Sequence, residues 1–497
     1  MRPATVRVKK VLALAPLQIA QALVGFGAIA AFTRLMSPAE FGQYALALSV
    51  SMFAHTLVFT AAEAAAFRFL AASKAASKSA DHFATLLALA LALAAGVLVV
   101  TVALLSLLDL KTETYALAFF AAGAAAFRFL TKLARETDRA ALDTARYAIF
   151  ETAYLVLGFG AGVALLTVGH FGAAAPFAGL LVAGIVVFAA DAPRLLTRAK
   201  GGAISAPRAG GYLAYGAPLA LALAVDLGVQ ALARIILAKQ AGAAELGAFA
   251  AAFGLARPLD LIFMSAGAAI APLILAAYEN DGADAACKAA RDAFSAIAAI
   301  TFPAAAGLLL LAQPLSAVLV GAGLSAEAAA AMPWLVLAGL FSGFNLYYWS
   351  EAFQLTRRTG LRALIMLAPG ALQIGLTLML APTQGAVGAA IAAAAGAGAG
   401  SVLLALIGRR LFAPPIPWPA LARVTLATAL MALAIAALPN RILSLSLLTG
   451  VFTYAAAAFA LDLFGARRRA SAVLQTLSVT IRGFVHTSFT GRLDVRR

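Results

Sequence analysis

Apolar stretches of about 17 to 25 residues recur along the whole chain, separated by short polar gaps. Each is long enough to cross the roughly 30 Å hydrocarbon core of a bilayer at about 1.5 Å per residue. The pattern predicts fourteen spans, at 11–32, 43–62, 83–107, 115–130, 147–167, 172–190, 212–236, 248–275, 293–311, 331–353, 363–381, 386–407, 421–438 and 442–461. Helices of this length satisfy their own backbone hydrogen bonds in lipid, so the expected fold class is all-α and polytopic. No gap is long enough for a folded soluble domain, which puts the protein's work inside or along the membrane.

The gaps alternate in charge. Inner loops are basic: 63–82 (Arg68, Lys74, Lys78), 131–146 (Lys132, Arg135, Arg139, Arg146), 191–211 (Arg194, Arg198, Lys200, Arg208) and 354–362 (Arg357, Arg358, Arg362). The intervening gaps 108–114, 168–171, 312–330, 382–385 and 439–441 are short and nearly free of basic residues, holding only Lys111 and Arg441. By the positive-inside rule both termini are cytoplasmic, the first through Arg2, Arg7, Lys9 and Lys10, the last through Arg467, Arg468, Arg469, Arg482, Arg492, Arg496 and Arg497. The expected place is a bacterial inner membrane. The same rule accounts for a net charge of +16 in a chain that is 63% hydrophobic, and so argues against nucleic acid as a partner. The single cysteine, Cys287, has no disulfide partner. Val11–Phe32 is longer than a cleavable signal's apolar region and reads as a retained signal-anchor. The alanine excess either favours close helix approach in lipid or reflects a GC-rich genome.

The glycine-rich loop 191–211 reads as a linker between two six-span halves, 1–200 and 201–411. The run Ala413-Pro-Pro-Ile-Pro-Trp-Pro breaks the helix pattern. It sets off a peripheral helix pair, 412–465, and a basic cytoplasmic tail, 466–497, whose residues from Ser471 form either an interfacial amphipathic helix or a disordered segment. The halves repeat. Thr33–Leu48 and Leu237–Phe253 align at an offset of 205 residues, placing Arg34 on Lys239, Glu40 on Glu245 and Tyr44 on Phe249. Six spans is an even number, so the repeat is parallel, an architecture found in transporters. A shorter echo joins Ala61–Leu70 to Ala121–Leu130 through Phe-Arg-Phe-Leu, which contains Arg68 and Arg128.

The loop Arg34-Leu35-Met36-Ser37-Pro38 followed by Phe41, Gly42 and Tyr44, its second-half copy, and the Phe67-Arg68-Phe69 ending resemble the bacterial polysaccharide transporters. That family belongs to the exporter superfamily that also holds multidrug extruders and lipid II flippases. The resemblance implies a two-lobed alternating-access fold that flips undecaprenyl-pyrophosphate-linked oligosaccharides for O-antigen, capsule or exopolysaccharide. It implies as partners the lipid-linked oligosaccharide, membrane lipids, a coupling ion (H⁺ or Na⁺), and a polysaccharide polymerase with other pathway proteins.

Ionisable groups at membrane depth cost about 2.5–3.5 kcal/mol on insertion scales, so by default they are functional or paired. Asp226, Arg234, Arg257 and Asp260 stand out. If spans seven and eight are antiparallel neighbours, Asp226 comes level with Arg257, which predicts an ion pair with Asp260 one turn away. Two readings stand: arginines forming a cationic cavity for a pyrophosphate headgroup, or a structural salt bridge. Arg234 can also snorkel to the interface. Gln18 and Gln21 in span one, and Gln373 in span eleven, line a polar cavity or bind helices together. Asn345, Tyr348 and Glu351 can meet sugar hydroxyls, and Tyr347 or Trp349 a sugar face or the interfacial aromatic belt. His55 is a proton relay or a packing residue, while Glu63 and Arg68 read as solvated by headgroups.

No phosphate-binding GxxxxGK[ST] loop, no Cys/His set with metal spacing and no nucleophile–base pair is present, so no cofactor and no catalytic residue is expected. The expected activity is that of a flippase. The alternatives are a cation-coupled multidrug exporter, against which the carboxylate-free first span counts, and a lipid II flippase, which draws on first-lobe arginines that span one lacks. A membrane glycosyltransferase would need a long outer loop, and none exists.

Overall fold

The computed structural model describes residues 15–107, 112–169, 171–413, 416–438, 442–465 and 467. Every regular element among them is helical: α1 Ala15–Leu35, α2 Pro38–Ala75, α3 Ser79–Leu107, α4 Thr112–Ala140, α5 Thr144–Val168, α6 Ala175–Ala199, α7 Ala206–Ala241, α8 Ala243–Ala256, α9 Pro258–Asp281, α10 Ala283–Leu310, α11 Ala312–Leu319, α12 Ala322–Phe344, α13 Glu351–Leu355, α14 Thr359–Gly408, α15 Trp418–Ala436 and α16 Leu443–Ala460. Among the described residues, thirteen helices are long and apolar enough to cross a membrane. The fifty-residue α14 accounts for two of the predicted spans, since Gly385 interrupts it at φ 52° and ψ −129°. This is a multi-pass membrane protein.

The helices run well past the hydrophobic stretches. Span two becomes the 38-residue α2, started by a capping box in which Ser37 and Glu40 satisfy each other's backbone donors. The predicted loop 276–292 is instead a tight hairpin, α9 and α10 meeting at Gly282. Predicted span eight is broken: α8 ends at Ala256 and α9 starts at Pro258, leaving Arg257 at the break.

Chain reversals at the basic ends share one form. After α2, Ser77 sits at φ 56° while the Ser77 and Lys78 amides bond back to Lys74 and Ser73. After α4, Leu142 (φ 60°) and Asp143 bond to Arg139 and Asp138; after α13, Arg357 (φ 56°) and Arg358 bond to Gln354 and Phe353. These are Schellman stops built on residues with side chains, where glycine is usual.

Packing groups the described residues into two compact units. One comprises the chain up to Arg257 with 315–342 and 359–404; the other comprises 258–314, 343–358 and the chain from Ala405 onward. The first contains all of α1–α8, so it joins both copies of the sequence repeat. In it α2 lies against α4, α7 and α8, around a core of Phe59, Phe129, Leu86, Leu133 and alanines. Phe59 and Phe129 stack with ring centroids 4.2 Å apart. In the second unit α10 packs on α9 and α15, and Tyr454 of α16 donates a hydrogen bond to the Ala299 carbonyl.

Candidate functional site

The repeated motif is a contact between its own two copies. The first turns of α2 and α8 cross so closely that a side chain on Gly42 would overlap the Ala243 carbonyl. One on Gly247 would lie 2.7 Å from the Pro38 carbonyl. Residues 38 and 243, and 42 and 247, are the same positions of the 205-residue repeat, so the crossing is a pseudo-two-fold one. Phe41 is buried beside it, and Tyr44 sits among Phe32, Phe41 and Phe177. Two helix N-termini brought together would repel through their dipoles, and each carries an acid in its first turn, Glu40 and Glu245. Glu245 also accepts from the Ala386 amide at 2.8 Å, past the Gly385 break.

Arg34 adds a charged clasp at this charge-poor end. Its guanidinium donates to the carbonyls of Ala30 (2.8 Å), Val318 (2.6 Å) and Leu319 (3.2 Å), the last two at the end of α11. Thr33 accepts from the Gly321 amide at 2.8 Å. The repeat partner Lys239 makes no equivalent bond among the described residues.

The predicted membrane-depth cluster is only partly assembled. No ion pair joins Asp226 to Arg257 among the described residues. The expectation treated span eight as one straight helix, and the break at Arg257 places that side chain exposed, at the end of α8. Asp226 is half-buried on α7. Asp260 is exposed in the first turn of α9. Arg234 is no free snorkelling side chain. It donates to the Ser49 hydroxyl of α2 at 2.7 Å and covers Phe253 at 4.9 Å and Phe249 at 5.9 Å. Gln18 is exposed and Gln21 half-buried on α1. Gln373 lies where Gly396 brings the two parts of α14 together. Asn345 is buried at the start of a π-helical turn, Asn345–Trp349, in which Tyr347 packs parallel to Phe263.

The best-formed ionic constellations lie in the first half. Glu63 is buried, with one oxygen 2.9 Å from His55 Nε2 and the other 2.7 Å from Lys132 Nζ. This corrects the headgroup-solvated reading: α2 continues to Ala75, which puts Glu63 about 18 Å inside the helix end. Arg128 grips Glu151 with two bonds of 3.0 and 3.1 Å and covers the Tyr154 ring at 4.5 Å. Arg135, Arg146 and Arg194 converge on Asp138 and Asp191, whose carboxyls are almost wholly buried. Arg128, Lys132, Arg135 and Arg139 thus form one basic stripe along α4, at i, i+4, i+7 and i+11.

A family signature described as polysaccharide biosynthesis protein matches residues 31–325. The chain belongs to this family. Among solved structures, this polysaccharide biosynthesis protein resembles a lipid II flippase, MurJ, in an inward closed conformation. The TM-score is 0.72 at 15% identity, covering 91% of this chain and 99% of that one. An inward-facing multidrug resistance transporter of the MATE family, in the MOP superfamily, aligns with a TM-score of 0.57 at 19% identity, over 79% of this chain and 93% of the other. An outward-facing MATE transporter gives 0.53 at 17% identity, over 81% and 95%. No curated protein matches the sequence. At such identities the likeness is one of fold.

Sequence reading of this polysaccharide biosynthesis protein missed the stripe on α4 because it ended the span at residue 130 and assigned Lys132, Arg135 and Arg139 to a loop. The signal was present: four basic residues at helical spacing, with Glu151 inside a neighbouring apolar stretch and Glu63 and Asp191 at the ends of two others.

Proposed function

We propose that the protein is a flippase for undecaprenyl-pyrophosphate-linked oligosaccharide repeat units in a bacterial inner membrane, serving O-antigen, capsule or exopolysaccharide synthesis. The observation that carries this reading is the family match across 31–325 on a chain whose fold resembles that of MurJ. The crossing of Gly42 and Gly247 closes the charge-poor end, which the positive-inside rule makes periplasmic. Arg234 and Arg257 lie behind it and suit a diphosphate. Headgroup entry from the cytoplasm, with the lipid tail left in the bilayer, followed by parting of the two motif copies, completes an alternating-access cycle. No step makes or breaks a covalent bond, so no enzyme activity is proposed.

Mass spectrometry of lipid-linked oligosaccharides in cells with and without the protein tests it. Accumulation of one undecaprenyl-pyrophosphate glycan, with loss of a surface polysaccharide, is expected. An unchanged pool would reject the reading. A cation-coupled exporter is the second reading, supported by the Glu63–His55–Lys132 group, which supplies the first half with a buried carboxylate that span one lacks. Ion-driven dye efflux from vesicles separates the two.

A further inference from the structure

The Schellman stops after α4 and α13 superimpose bond for bond. Leu142 and Arg357, the left-handed residues, are 215 residues apart. The bonds Leu142 to Arg139 (3.0 Å) and Asp143 to Asp138 (2.9 Å) recur as Arg357 to Gln354 (3.0 Å) and Arg358 to Phe353 (2.8 Å). In this register Glu351 occupies the place of Glu136, and Gln354 the place of Arg139.

The two positions differ in their counter-charge. Glu136 is paired with Arg139, one guanidinium nitrogen lying 2.9 Å from each carboxyl oxygen. Glu351 is 5% exposed, more buried than Glu136 at 9%, yet meets only the Gln354 amide, at 3.4 Å. No cation lies within ion-pairing distance of it among the described residues. Ionisable groups on the surrounding elements of the same unit are Tyr347 and Tyr348 on the π-helical turn, Asp260, Tyr278, Glu279 and Asp281 on α9, Asp284, Cys287, Lys288, Arg291 and Asp292 on α10, and Arg357, Arg358, Arg409 and Arg410 on the flanking turns; none is paired with Glu351. A buried carboxyl must be paired or lose its charge. The π-helical turn directly before it is a local distortion of a kind concentrated at functional sites.

We propose that Glu351 is a proton-binding site of the second half, loaded from water at the basic end about 6 Å away along the helix. A proton takes the place that Arg139 fills in the first half. The step is proton binding and release at one carboxyl oxygen, with no other bond changed. The site is argued from packing alone, while its use in driving export rests on the transport reading above.

Infrared spectroscopy of the purified protein in lipid, titrated over pH in H₂O and D₂O, tests the site without any cargo. The expected result is a protonated-carboxyl band that Glu351→Gln removes and Glu136→Gln leaves in place. Gln354→Arg, which rebuilds the first-half pair, should also remove it. A band that survives Glu351→Gln, or no band at any pH at which the protein stays folded, overturns the proposal. In cells, Gln354→Arg should abolish the dependence of export on the proton gradient. Unchanged gradient dependence there would reject the coupling role, and an unchanged lipid-linked pool in the deletion strain would reject the flippase reading, leaving the infrared result standing.

Discussion

The ends of α4 and α13 show how two copies of one backbone device come to hold different electrostatics. In the first half, the basic stripe of α4 is met by acids from α2, α5, α6 and α4 itself, and each buried carboxylate has a cation. In the second half Glu351 keeps its burial and loses its cation. The first half is thus cross-braced by charge, whereas the second presents a polar group with an unfilled requirement. Identical turns do not imply identical roles; the side chain three residues before the left-handed residue decides.

The largest effect expected from breaking this contrast comes from Arg135→Ala. Leaving Asp138 and Asp191 short of a counter-charge should cost about 3–5 kcal/mol, read as a large drop in thermal stability in detergent and loss of protein from the membrane. Gly42→Val comes next, because the added side chain cannot share space with the Ala243 carbonyl. Overpacking of about 1–3 kcal/mol should hold the charge-poor end open, so that a cysteine placed at Ser49 in a Cys287→Ser background becomes accessible to an impermeant thiol reagent. Arg34→Ala removes three hydrogen bonds at an exposed site. About 1 kcal/mol is expected, with partial accessibility in the same assay. The smallest effects sharpen the comparison itself. Glu136→Gln should destabilise by about 0.3–0.5 kcal/mol through its i, i+3 pair, and Glu351→Gln should not destabilise at all, as measured by paired thermal melts.

The chain's hydrophobic pattern was enough to establish an all-helical membrane protein and to locate almost every span, because helix length in lipid is set by bilayer thickness. The 205-residue repeat also identified Gly42 and Gly247 as equivalent positions. It did not reveal that they touch each other. Span eight read as continuous because Arg257 and Pro258 sit within an apolar stretch, and composition carries no record of a break between two well-formed helices. The expected Asp226–Arg257 pair failed for that reason, since depth along a helix says nothing of which face turns to which neighbour.

Sequence alone therefore determined that the chain is an all-helical multi-pass membrane protein, which gaps are basic and where the motif recurs, since these follow from solvation of one residue at a time. Only the tertiary structure decided that Lys132 and Arg135 pair with buried carboxylates and are not loop cations, that Glu63 sits deep beside His55, and that Glu351 stands without a cation. Pairing is a relation between helices far apart in the chain, and its free energy depends on burial and distances of a few ångströms that only packing sets.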